Sequence, residues 1–430
     1  MKFRFINARI LTMEDPLSII EGELHVDGEI ITYVGAALEK VDTRFDQIID
    51  CNGNVLMPGF KNAHTHSPMT FLRSYADDLP LQEWLFDKVF PLEAKLSGDD
   101  EYHLAKVAIL EYLTSGVTAA FDMYYNPHLT AKAALDLGFR MVCLGTVTKY
   151  RESVAEMVEA YKSINGHPSS LISYQLGFHA IYTANEEILK ELKVASDELN
   201  APIFTHLAET QSEFDTSMKE HGLTPTAYVD SLGLWDHGGG GFHGIYVTED
   251  DFSIMKKHRL TMVTNPSSNT KLASGIAPIN AYLEHNIPVA IGTDGPASNN
   301  ALDFFREMWL TSSLAKLQTS DAAKVDALDV LKMATVNGAH MMRLNNADVL
   351  APNKYADIIM LDLAQPNMQP LNNIMKNIVY AGNKTNVKMT MINGKILYYN
   401  NVFYLDETPE EIYANAQAIT ERIKAEITNG

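Results

Sequence analysis

The stretch LMPGFKNAHTH, residues 56–66, decides the fold: it is an apolar run of strand length that ends in two histidines one residue apart. Seven later segments share its texture: GVTAAFDM (116–123), RMVCLGTV (140–147), SYQLGFH (173–179), APIFTHLAE (201–209), GFHGIYV (241–247), LTMVTNPS (260–267) and PVAIGTD (288–294). Helix-length segments such as DDEYHLAKVAILEYLTS (99–115) lie between them. Strands that alternate with helices imply a parallel sheet, and eight such units imply closure into a (β/α)8 TIM barrel of the α/β class. On pattern alone, an open doubly wound sheet stays as the alternative.

Outward from the barrel the texture changes. FINARILTM (5–13), GELHVDGEIITYVG (22–35) and QIIDCNGNVLMPGF (47–60) are rich in β-branched residues and are punctuated by Asp27-Gly28 and Asn52-Gly53, both hairpin-turn signals. The same pattern returns in YADIIMLDL (355–363) and VKMTMINGKILYYNNVFYLD (387–406), with Asn393-Gly394 as its turn. The expected organisation is a small β-sandwich domain built from both chain ends, residues 1–57 and 351–405, around a barrel spanning 58–350. TPEEIYANAQAITERIKAEI (408–427) begins on a threonine cap and predicts a terminal helix within 406–430.

The 430 residues carry 34 Lys+Arg against 54 Asp+Glu, a formal net charge of −20, which disfavours nucleic acid and anionic lipid as partners. Two cysteines, Cys51 and Cys143, are too few for a disulfide framework or a four-thiolate zinc site. The amino terminus lacks a signal-peptide pattern and no stretch has the length and apolarity to span a bilayer, so a cytoplasmic protein with no membrane partner is expected.

The chemistry collects at the strand ends. With 14 histidines in 430 residues, chance supplies about half an H-x-H pair, so the motif is weak alone. Its position gives it weight, because residues i and i+2 of a strand point the same way and a barrel's site forms at the strands' carboxyl ends. His64 and His66 end the first strand, His179 the fourth, His206 and then Glu209 the fifth, His243 the sixth and Asp294 the eighth. Neutral imidazoles with a carboxylate suit Zn²⁺ or Fe²⁺. Gly239, Gly241 and Gly244 spell G-x-G-x-x-G, yet strand residues overlap them and the next helix begins only near Thr248, so they do not form a dinucleotide fingerprint. The Gly238–Gly241 run itself has no functional reading.

PGFKNAHTH, the THLAET segment, the isolated strand-six His243 and GTDGPASNN together resemble the amidohydrolase superfamily. More narrowly they resemble its branch of methylthioadenosine/S-adenosylhomocysteine deaminases and triazine chlorohydrolases. The resemblance implies a metal-dependent aminohydrolase that deaminates an adenosine-type nucleoside, with another N-heterocycle as the alternative substrate. It implies one divalent metal per chain, zinc before iron, held by His64, His66, His206 and Asp294. His179 stands where binuclear relatives carry a carboxylated lysine, so a mononuclear site follows.

The same resemblance gives Glu209 the proton transfer to the substrate ring, His243 the contact to the attacking water, and Asp294, through a free second oxygen, the water proton. Glu93 matches the acid that receives ribose hydroxyls, His179 a further substrate contact, and Arg151 and Ser298 fall near the substrate tail. Trp84, in the segment SYADDLPLQEWLF (74–86), is read as part of a lid against the purine face. Leu144 or Gly145 occupies the place of a second tail-binding arginine, with Lys149 as the available cation nearby. The resemblance also suggests a homo-oligomer.

Overall fold

The structure is a computed structural model and describes residues 1–41 and 43–428. Eight parallel strands run in chain order around one sheet: Phe60–Thr65, Val117–Met123, Arg140–Leu144, Ile172–Gly177, Ile203–Leu207, Gly239–His243, Thr261–Thr264 and Val289–Ile291. The eighth strand meets the first through Asp294 N–H donating to the His64 carbonyl (3.0 Å). The Asn62 side chain completes the seam, accepting from Thr293 N–H at 2.9 Å and donating to Thr293 Oγ1 at 2.7 Å. Ala63, Phe121, Val142, Phe204, Phe242 and Val263 fill the barrel interior, so it is a packed core with a site only at its rim.

Two strand readings shift in detail. LMPGFKNAH divides at Gly59: Val55–Pro58 belongs to a second sheet and Phe60–Thr65 to the barrel. A Cβ at Gly59 would sit 2.1 Å from Thr118 Cγ2, so only glycine lets the chain pass between the sheets here. The sixth strand runs through the glycines, Gly239–His243, and ends before Ile245. A Cβ at Gly239 would lie 1.9 Å from the Ile203 carbonyl oxygen, which accounts for the glycine run as close packing against the fifth strand.

Nine strands from both chain ends form the second, mixed sheet. The Asp27-Gly28 and Asn393-Gly394 turns each close an antiparallel hairpin, Ile19–Asp27 with Ile30–Gly35 and Val387–Ile392 with Lys395–Tyr399. The Asn52-Gly53 signal gives a turn of the expected conformation (φ 51° and 75°) but no hairpin. Its flanks, Gln47–Asp50 and Val55–Pro58, both pair parallel with Lys2–Leu11, at Phe3–Ile6 and at Arg9–Ile10. The turn lets one edge follow an irregularity in that strand, where Asn7 has φ 53° and accepts from Gly53 N–H.

The helix Pro409–Thr428 forms as expected, with Thr408 and Glu411 capping each other reciprocally. It returns to the barrel mouth. Arg422 pairs with Asp100, and Ile419 and Ile423 pack in a cluster with Trp84, Leu85 and Leu92. Among the described residues, no helix is long and apolar enough to cross a membrane.

Candidate active site

The strand ends bring His64, His66, His206 and Asp294 together, with one ligand atom from each lying within 4.8 Å of the others. Asp294 Oδ1 is 3.5 Å from His64 Nε2 and 3.2 Å from His66 Nε2, while His66 Nε2 and His206 Nε2 face each other at 3.3 Å. The other ring nitrogens explain this convergence. His66 Nδ1–H donates to the Met123 carbonyl and His206 Nδ1–H to the His179 carbonyl, both at 2.7 Å, which leaves each Nε2 lone pair aimed inward. His64 lies flat on Phe242, ring centroids 3.9 Å apart, so the cluster rests on the barrel core.

The chemistry of these residues fits a divalent metal. Neither nitrogen of the buried His64 ring has a hydrogen-bond partner among the described residues, a costly state unless the ring serves as a ligand. Burial lowers the pKa of His64 to about 3 and takes His206 well below its ordinary value, so both are neutral lone-pair donors at pH 7. Burial alone would raise Asp294, but the His64 and His66 rings facing it hold it well below the usual carboxylate range. Asp294 also has φ 60°, a strained conformation for a non-glycine residue at a strand end.

The remaining expected residues are placed around this cluster. Glu209 and His243 line the same cavity, with Glu209 Oε1 3.8 Å from His243 Nδ1. Burial raises the Glu209 pKa, so it holds a proton more readily than a free carboxylate. Glu213 fastens the loop beneath it, accepting from Ala208 N–H (3.1 Å) and Glu209 N–H (2.9 Å). His179 lines the cavity beside His206, its Nδ1 3.0 Å from Thr183 Oγ1 and its pKa lowered by burial to about 3.

Glu93 lies in the cavity wall, buried, with Oε1 accepting from Tyr124 OH (2.7 Å) and Oε2 from Tyr125 OH (3.2 Å). Trp84 also lines the cavity, with Leu81, Leu85 and Phe90 of the same covering segment. Arg151 stands outside this cavity: its exposed guanidinium lies 4.4 Å from the Tyr125 ring centroid and borders a neighbouring recess shared with Glu93, Phe90 and Tyr150.

One expectation is corrected. Asp294 Oδ2 is not free, because Ser268 Oγ (2.5 Å) and Ser298 Oγ (2.8 Å) both donate to it. Ser298 therefore lines the cavity with its hydroxyl committed to Asp294 and its Oγ also 3.2 Å from the Gly295 carbonyl.

Sequence reasoning passed over Tyr124, Tyr125, Tyr182 and Thr146, all in the cavity wall, and the polar run Asn265, Ser268, Asn269 and Ser274 behind it. The signal for the second group was the polar NPSSN after an apolar barrel strand, a place where side chains face the site.

The amidohydrolase family profile matches residues 55–397. A curated 5-methylthioadenosine/S-adenosylhomocysteine deaminase of Syntrophomonas wolfei is 37% identical, the match covering 98% of this chain and 99% of that protein. One of the same name from Thermococcus sibiricus is also 37% identical, over 89% and 91% respectively. Among solved structures, an adenosine deaminase from Xanthomonas campestris with bound zinc superposes with a TM-score of 0.92 at 30% identity, covering 98% of both chains. The atrazine chlorohydrolase of Arthrobacter aurescens in complex with zinc has a TM-score of 0.88 at 20% identity over 97% of this chain and all of that one, a likeness of fold. Fold, strand-end cluster and full-length relatives agree: the chain belongs to the amidohydrolase family.

Proposed function

We propose that this enzyme hydrolyses the exocyclic amine of an adenosine-type nucleoside, 5′-methylthioadenosine or S-adenosylhomocysteine, releasing ammonia and the inosine analogue. The observation that carries the substrate reading is Glu93: a buried carboxylate in the cavity wall, fixed by two tyrosine hydroxyls and suited to accept from a ribose diol. The relatives named as deaminases of such nucleosides support it.

His64, His66, His206 and Asp294 would hold one divalent ion, zinc in first place and iron in second. Such an ion acts as a Lewis acid and brings the pKa of water from about 16 towards about 7. Glu209, whose hold on a proton burial strengthens, gives a proton to the ring nitrogen as water adds to the neighbouring carbon. His243 lines the same cavity and reaches the attacking water. His179 and Trp84 border the space for the base, and the tail leaves past Tyr125 towards Arg151. Arg151 meets the tail without a second arginine from the third strand, because Leu144 packs inside the barrel and a Cβ on Gly145 would fall 2.7 Å from Met157 Sδ.

Ammonia release from 5′-methylthioadenosine, S-adenosylhomocysteine, adenosine and free adenine tests the reading. The nucleosides should turn over, and Glu93→Gln should cut their kcat/KM by about 10- to 100-fold, the worth of hydrogen bonds to a charged group. No ammonia from any nucleoside overturns the reading; a Glu93→Gln enzyme as fast as the parent removes the ribose assignment.

A further inference from the structure

The seventh barrel strand, Thr261–Thr264, ends in no titratable group, yet the segment after it reaches three of the side chains assigned above. Ser268 Oγ donates to Asp294 Oδ2 at 2.5 Å, Ser274 Oγ to Glu209 Oε1 at 3.2 Å, and His243 Nδ1 lies 2.7 Å from Asn269 Oδ1. All three partners are buried. The segment is anchored from behind, where Ser267 N–H donates to Glu307 and Arg306 Nε to Ser267 Oγ, at 3.0 and 3.1 Å. It also reaches the cavity's cover. Lys271 pairs with Asp77, which Asn300 Nδ2 holds at 2.8 Å, and Leu272 packs in one cluster with Trp84 and Leu85.

We propose that residues 265–274 form the positioning element of the reaction: Asn269 sets His243 as a proton acceptor, and the Lys271–Asp77 pair joins closure of the cover to that alignment. The proposal rests on the deaminase reading above. An amide oxygen cannot donate, so His243 Nδ1 carries the proton and its Nε2 presents a lone pair. Asp294 is held in place as a ligand, Oδ1 facing the histidine cluster while accepting from Gly295 N–H at 2.8 Å and Oδ2 accepting from two hydroxyls. With its Nε2 lone pair, His243 takes the water proton as the C–O bond forms, while the Glu209 proton goes to the ring nitrogen. The C–N bond then breaks as His243 returns its proton to the departing amine, giving ammonia, and the new hydroxyl gives its proton back to Glu209. Water thus supplies both hydrogens that the products need.

The test uses the metal-loaded enzyme. Asn269→Ala should lower kcat by about 10- to 100-fold, the scale known for outer partners of metal-bound histidines, with KM within about threefold and metal content unchanged. Asn269→Asp, which keeps an acceptor oxygen there, should recover most of kcat. Equal kcat in parent and Asn269→Ala, or equal damage from both substitutions, overturns the assignment. If Asn269→Ala does not fold, nitrogen-15 NMR of the parent decides: His243 protonated on Nδ1 supports the proposal and protonation on Nε2 overturns it. Joined to Lys271→Met, the Asn269→Ala loss should be less than multiplicative, because closure and alignment are one event; a multiplicative loss overturns the coupling. A parent enzyme that releases no ammonia defeats the deaminase reading instead, and the NMR result still judges the tautomer.

Discussion

The two ends of the first barrel strand bury charge in opposite ways. Near its start, Lys61 is fully buried and its ammonium donates to the Gly59 carbonyl and Thr118 Oγ1, both at 2.8 Å. Close by, Arg140 makes a two-pronged pair with Asp357 (2.6 and 3.0 Å), donates to the Ser170 carbonyl and reaches Asn393, whose N–H in turn donates to Asp357. Every charge at this end is answered by the chain itself. At the other end, three residues away, His64 has no hydrogen-bond partner among the described residues and two further imidazoles turn lone pairs toward the same point. Closed networks at the base hold the two sheets together; the open one at the rim asks for a cation. Burial alone does not mark a functional site; a fully buried imidazole with neither nitrogen partnered, facing other lone pairs turned to the same point, does.

The largest effect that would break this contrast is at the rim. Asp294→Asn should lower kcat/KM by roughly 10⁴-fold, the upper range for removing a catalytic group, because the one charged ligand of the cation is lost, and should release metal while the protein stays folded. Metal analysis and turnover on the same sample check it; full metal content with full activity would make the rim as closed as the base.

The base predicts the reverse pattern. Arg140→Leu strands Asp357 in the interior and should cost about 3–5 kcal/mol of stability in urea unfolding, with kcat/KM of the folded fraction unchanged. The pH dependence follows from Asp357. Burial would raise its pKa, but Arg140's charge and hydrogen bonds hold it below the ordinary carboxylate value. A depressed carboxylate contributes stability above its unfolded pKa, about 4, and loses it as pH falls through the folded value. Acid should therefore narrow the gap between parent and Arg140→Leu. Stripping metal with a chelator acts on the rim alone: it removes about 2.7 kcal/mol where free metal stood at 100 times Kd, and the loss should be the same in both proteins.

The sequence shows the rim more readily than the base, for a physical reason. Metal-type residues at the ends of apolar strands are local signals, since H-x-H on one strand fixes two imidazoles together and strand order supplies the rest. Eight strands and the four clustered residues were legible that way. What was not legible depends on contacts between distant residues. Tyr124 on Glu93, Asn269 on His243 and Ser268 on Asp294 are ordinary polar residues until the fold joins them across 26 or 31 positions. Lys61 and Arg140 carry no local signal of burial, because it is the distant mixed sheet that covers them, with Asp357. The Asn52-Gly53 turn was legible as a turn and misled as a hairpin, because pairing is decided by the neighbouring strand Lys2–Leu11.

The smallest effect is the sharpest test of how closed the base is. Burial lowers the pKa of Lys61 to about 8, with Asp357 opposing that shift and Arg140 adding to it. In the unfolded chain the same lysine titrates near its ordinary value, about 10.4. Between about pH 8 and about 10.4 the unfolded state binds more protons than the folded one, so stability rises with pH through that window. Below it lysine is charged in both states and contributes no slope. Lys61→Met should abolish this rise while adding only about 1 kcal/mol at pH 7, as expected when a buried charge gives way to an apolar side chain of similar volume. Urea unfolding of the two proteins at pH 7, 8.5 and 10 measures it, the difference between them cancelling every other group that titrates there. Parallel curves would mean that Lys61 keeps its ordinary proton affinity in the fold, as it could only if water reached it, and the base would then be open like the rim.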